Sequence, residues 1–259
     1  MPASKYVPLL FLIALSDSLT AQPLHSSQWD VQIQGGVVPI IWSHRKTDLE
    51  NYTSFPVSFP VFRLLNSPRF DALFGTPWTI GGQVGYAWSD HFRLYGEVNY
   101  VQASGVDEKT FKTASSPYAT THIALHDYRL VDAYAGLRYY VNCWQCQELS
   151  SFFGVKLGLT HHYTTAMEAL IPIASTTVLN LPFFQSNTSI AGGVNLGFDY
   201  AFCQHCSLVL TGEFVFSQAP HILDKIVLPS PLFGYNALSI GRVGTEIRFP
   251  VTAAFRYKF

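Results

Sequence analysis

Charge is scarce in this chain. Asp, Glu, Lys and Arg make up 13% of its 259 residues, about half the ~25% of an average soluble domain. Something other than water must therefore face much of the surface. The 16 Lys and Arg residues nearly balance the 17 Asp and Glu residues. A net charge of −1 supplies neither a basic field to gather nucleic acid nor an acidic tail. Long apolar runs are missing as well. Beyond the N-terminus no stretch approaches the roughly 18 uninterrupted apolar residues of a transmembrane helix. A mean hydropathy of +0.17 is too mild for a helical membrane bundle. Cysteine is confined to two CxxC pairs.

Apolar residues are nonetheless plentiful, at 48%, with 15% aromatic. A chain that is apolar on average and lacks apolar runs must spread its hydrophobicity by alternation. The N-terminus is the exception. Lys5, the run "YVPLLFLIAL" and the small-residue end "SLTA" have the order of a secretory signal. Cleavage is expected after Ala21, although Leu19 is larger than the residue usually found at that position. Residues 1–21 are then a signal peptide and 22–259 a single domain that works outside the cytoplasm.

Alternation of period two recurs through that domain. "WDVQIQGGVV" sends Trp29, Val31, Ile33 and Val37 one way and Asp30, Gln32 and Gln34 the other. The same division appears in "WTIGGQVGYAW", "FRLYGEVNY", "RLVDAYAGLRYY", "FFGVKLGLTHHY", "SIAGGVNLGFDYAF" and "SLVLTGEFVF". At the C-terminus Ile247, Phe249, Val251, Ala253, Phe255, Tyr257 and Phe259 oppose Arg248, Thr252, Arg256 and Lys258. Each segment predicts a strand with one greasy face, near the ~9–11 residues of a tilted membrane strand. Tight links (Ser89–His91, "NCWQCQE", "CQHC") alternate with long connections. Turns therefore gather at one end of the sheet and loops at the other.

These features predict an all-β fold: a closed antiparallel up-and-down transmembrane β-barrel of about eight strands. Closure follows because an open sheet edge in lipid would leave backbone groups unpaired. "FPVSFPVF" also alternates, so roughly ten strands is the alternative count. Arg93, Glu97, Asp132, Arg138, Lys156, Asp199, Glu213, Arg248 and Arg256 all fall opposite the apolar parity. They are expected to neutralise one another in the lumen, since Arg or Lys facing lipid at mid-depth costs about 2–4 kcal/mol. Trp29, Trp78, Trp88, Phe92, Tyr139, Tyr140 and Phe202 lie near strand ends and are expected in interfacial girdles.

The final "AAFRYKF" resembles the C-terminal signal of bacterial outer-membrane proteins, and the whole pattern is similar to the small eight-stranded OmpA/OmpX-type barrels. The resemblance implies integral residence in a bacterial outer membrane, among outer-membrane lipids. It also implies that the barrel-insertion machinery reads Ala253, Phe255, Tyr257 and Phe259.

Three features remain for function. Cys143 and Cys146, and Cys203 and Cys206, lie in two predicted periplasmic turns. In an oxidising compartment each pair is a candidate local disulfide. Exchange with thiols of envelope partners is the alternative, and resembles the disulfide networks of chlamydia-type envelopes. A four-cysteine zinc site is disfavoured because the gap between pairs far exceeds about 15–20 residues, and no metal is expected. "THHYTT" sets His161 and His162 near Glu168, which resembles the Ser–His–Glu set of outer-membrane lipid A deacylases. Thr164 stands where that pattern needs Ser, so no catalytic residue is assigned. "GGQVG" and "AGGVNLG" lack the following helix of a nucleotide cradle, and no cofactor is expected. The outer loops "FPVSFPVFRLL", "ALIPIASTTVLNLPFF" and "HILDKIVLPSPLF" are unusually apolar. They predict either a self-packed cap with short strands above the membrane or a surface for host or envelope proteins. A structural or surface-interaction barrel is the leading expectation, with a narrow channel for small apolar solutes second and a lipid-modifying enzyme third.

Overall fold

A computed structural model describes residues 29–44, 70–105, 109–113, 116–142, 148–171, 177–222, 226–230, 234–238 and 243–259. The predicted signal peptide, "FPVSFPVF" and the first CxxC pair lie outside the described residues. In chain order the elements are β1 (Trp29–Val37), β2 (Ile40–His44), α1 (Phe70–Leu73), β3 (Trp78–Ala87), β4 (Phe92–Ala103), β5 (Lys109–Thr113) and β6 (Ser116–Leu125). There follow β7 (Tyr128–Asn142), β8 (Leu149–His162), β9 (Thr165–Ile171), β10 (Thr177–Gln185), β11 (Asn187–Ala201) and β12 (Cys206–Gln218). The last are β13 (His221–Ile222), β14 (Ile226–Ser230), β15 (Gly234–Leu238), β16 (Val243–Arg248) and β17 (Val251–Lys258).

Antiparallel pairing runs β1–β3–β4–β7–β8–β11–β12–β17 and returns from β17 to β1. The ring is closed and has eight strands, so the ten-stranded count is set aside. Every barrel strand buries alternate residues. On β8, Phe152, Val155's neighbour Lys156, and Thr160 point inward, while Phe153, Val155, Leu157 and Leu159 point out. The outer surface is apolar throughout its middle: Ile190 is 72% exposed, Ile33 67% and Leu157 65%. The largest fully buried side chains are those of Arg138, Arg248 and Arg256. Water would penalise such a surface by roughly 25 cal/mol per Å² of apolar area, whereas acyl chains accept it.

The terminal strand is not continuous. β16 and β17 are separated by Phe249 and Pro250, and β1 and β2 by Val38 and Pro39. Proline has no N–H for the ladder, and the two breaks lie side by side. Phe249 donates its N–H to the Pro39 carbonyl at 2.9 Å, and Glu213 donates to that of Pro250 at 2.9 Å. Inward parity survives the break, with Arg248 and Thr252 both buried.

Much of the long connections is strand. β5, β6, β9, β10 and β13 form a five-stranded sheet, with β8 running on into β9 and β10 into β11. This sheet stands at the end of the barrel opposite the short turns.

Candidate functional site

The lumen is built in tiers. Nearest the short turns, Asp30 on β1 is paired with Arg93 on β4, and Asp199 on β11 with Arg256 on β17. Arg256 also donates to Ser207 Oγ at 3.0 Å and to the Tyr140 hydroxyl at 2.8 Å. Tyr140 was expected in the girdle. It is instead 8% exposed and inside the barrel, because it shares the parity of Arg138 and Asp132. Arg138 lies between the rings of Tyr95 and Phe152, at 4.5 and 4.6 Å from their centroids, where cation–π attraction offsets part of its desolvation.

Above this, Lys156 Nζ meets Glu213 Oε2 at 2.5 Å and Glu97 Oε1 at 3.1 Å, over the Tyr134 ring. Asn99 donates to Glu97, and Gln34 donates to Asn99 at 2.7 Å. The next tier centres on Arg248. Its Nη1 donates to Asp132 Oδ2 at 2.6 Å, and its Nη2 to Thr160 Oγ1 at 2.8 Å and the Tyr134 hydroxyl at 3.0 Å. Thr160 donates in turn to Asp132 Oδ1 at 2.6 Å. These side chains line the lumen together with Asp30, which alternation also sets on the polar parity, and Glu246, which the sequence reading did not name. Glu246 is 0% exposed. It accepts from the Tyr128 hydroxyl at 2.6 Å and Trp42 Nε1 at 3.0 Å, and meets Arg248 Nε at 3.3 Å and His162 Nε2 at 3.5 Å.

Glu246 is also where the ionic column ends and an apolar plug begins. Trp42 packs edge-on against Phe70 (4.9 Å) and Phe184 (5.5 Å), and Tyr128 edge-on against Phe70 (5.1 Å) and tilted against Phe74 (5.5 Å). Val38, Ile40, Leu73, Val101, Leu130 and Phe183 also belong to this buried cluster. The plug draws on β2, α1 and β10, elements the predicted loops contained.

The two histidines of "THHYTT" part company. His162 points into the lumen, with Nδ1 3.1 Å from Asn187 Oδ1. His161 faces outward, with Nδ1 2.8 Å from Thr188 Oγ1 and Nε2 3.4 Å from Ser186 Oγ. Glu168 meets neither; it pairs with His126 at 3.2 Å. In the β11–β12 turn Cys203 and Cys206 are free thiols. The N–H groups of Phe202 and Cys203 donate to the Cys206 carbonyl at 3.2 and 3.3 Å. A hydrogen bond with Cys206 holds the Cys203 thiol below its ordinary pKa. Among the described residues no three His, Cys, Asp or Glu side chains converge to hold a metal.

Ionic groups buried along the axis and apolar groups exposed around the wall invert the plan of a soluble barrel. The molecule is a closed eight-stranded β-barrel whose outer wall is made for lipid. No family model and no curated protein matches the chain. Among solved structures it is similar to Neisserial surface protein A, with 14% identity, 89% of this chain and 97% of that one covered, and a TM-score of 0.44. It is also similar to the outer-membrane protein OprG of Pseudomonas aeruginosa, with 15% identity, 90% and 97% covered, and a TM-score of 0.40. The placement in lipid rests on the barrel's own surface.

Proposed function

We propose that this barrel is a sealed anchor in a bacterial outer membrane, holding a folded sheet outside the cell for contact with surface partners. The observation that carries this reading is the filled bore. Three ionic tiers, around Arg256, Lys156 and Arg248, occupy the axis, and the Trp42–Phe74–Tyr128 plug closes the outer end. Eight strands give a bore just wide enough for side chains to fill. The barrel wall continues into the five-stranded sheet, which gives the outer face a defined shape. Envelope or host proteins are the partners this reading supplies for that face.

Purified protein in planar bilayers should show no conductance steps, and liposomes carrying it should take up neither sugars nor small apolar esters. An epitope tag between β5 and β6 should be reached by antibody on intact cells. Steady ion conductance, or an antibody signal only after lysis, would overturn the proposal. Uptake of the apolar ester without ion conductance would instead favour the second reading, a narrow conduit, whose support is the apolar character of the plug.

A further inference from the structure

We propose that Ser186 and His161 form a nucleophile–base pair on the outward face of the barrel, hydrolysing acyl esters of anionic amphiphiles at the outer membrane boundary. The chain separates the two residues by most of β9 and β10, but β8 and β11 pair with Thr188 opposite His161. That register sets Ser186 Oγ 3.4 Å from His161 Nε2 and Thr188 Oγ1 2.8 Å from Nδ1. When Nδ1–H donates to Thr188, the Nε2 lone pair faces the Ser186 hydroxyl, which is the tautomer a general base requires. The Tyr163 ring stands perpendicular to the imidazole, with ring centroids 5.0 Å apart. The Ser–His separation is longer than the ~2.6–3.2 Å of a tight pair, as is common without substrate. Among the described residues no carboxylate is bonded to His161: Thr188 takes that position, and Glu168 is held by His126.

The surroundings choose the substrate. Directly below, Leu159 and Ile190 are 51% and 72% exposed and form part of the lipid-facing wall, so an acyl chain reaches the pair along an apolar surface. On the adjoining strand the Arg129 side chain is 53% exposed, beside Asp127 at 3.3 Å. Its carbonyl accepts from the Tyr163 N–H at 3.0 Å, which places a cation on the same outward row for a phosphate or carboxylate head group. Ser186 Oγ attacks the ester carbonyl while its proton passes to His161 Nε2. The C–O bond to the alcohol then breaks and the alcohol leaves with that proton. Water, deprotonated by His161, attacks the acyl-serine and releases the carboxylic acid, and the proton returns to Ser186 Oγ. Thr164 Oγ1 accepts from the Ser186 N–H at 3.3 Å, leaving its own O–H to donate to the oxyanion.

The test uses the folded full chain in detergent micelles, with a fluorophosphonate probe and p-nitrophenyl decanoate. The probe should attach to Ser186, located by mass spectrometry. Ser186→Ala and His161→Gln should each lower ester hydrolysis by about 100-fold or more while keeping the heat-dependent gel shift of a folded barrel. Arg129→Gln should raise KM for a phosphate-bearing ester and leave kcat unchanged. A folded wild-type barrel that neither takes the probe nor hydrolyses the ester would overturn the proposal. So would labelling at another residue, or equal turnover by Ser186→Ala.

Discussion

Glu246 shows how much can depend on one residue of this barrel. It joins the ionic column to the aromatic plug and is fully buried among Tyr128, Trp42, Arg248 and His162. Removing one partner of a buried ion pair strands the others, at about 3–5 kcal/mol. Glu246→Ala is therefore expected to lower the urea midpoint of the folded gel species markedly. Glu246→Gln should lower it less, because an amide oxygen still accepts from Tyr128 or Trp42. At the opposite end, the hydrogen bond from Cys206 favours the Cys203 thiolate. Thiolate is the reactive form, so a lowered pKa means a larger reactive fraction near neutral pH. Iodoacetamide should modify Cys203 faster than Cys206 at pH 7, and the difference should narrow as pH rises past the ordinary thiol range near ~8.5.

Strands of this barrel approach one another too closely for uniform side chains. A Cβ on Gly158 would lie 1.9 Å from the Ala133 carbonyl and 2.7 Å from the Tyr134 Cα, both backbone atoms that cannot swing aside. Gly158→Ala must therefore part β7 from β8, with an expected cost of about 1–3 kcal/mol, measurable as a lower urea midpoint and a reduced folded yield. The strands themselves were legible from alternation, since one face must meet lipid and the other the lumen. Their ends were less so. Alternation carries straight through Phe249 and Pro250, yet the ladder stops there because Pro250 has no N–H to give. Of the outer strands, β5 and β6 fell in a long connection with no strand assigned, and β9 and β10 in an apolar loop for which short strands above the membrane were one of two expectations. Their pairing depends on partners far along the chain, such as His122 opposite Leu170.

For the molecule as a whole, the plug and the ionic column are two seals in series. Trp42→Ala combined with Phe74→Ala should loosen the outer end without opening a conducting path, because Arg248, Asp132, Lys156 and Glu213 still fill the bore beneath. Bilayer recordings of the double variant are expected to stay silent. A large steady conductance would place the only seal in the plug.

Periodicity by itself determined the class of fold and the side of the wall each barrel residue faces, because a period of two in a membrane leaves a single sensible orientation. It placed Arg93, Lys156 and Arg248 in the lumen before any partner was known. Which acid each would meet was decided by register and closure, as with Asp30 and Arg93, 63 residues apart, and Trp42 and Glu246, 204 apart. The same holds for Ser186 and His161, which no local spacing connects. Hydrophobic pattern is a property of neighbours in sequence, whereas pairing across a closed barrel is a property of strands brought together only when the sheet meets itself.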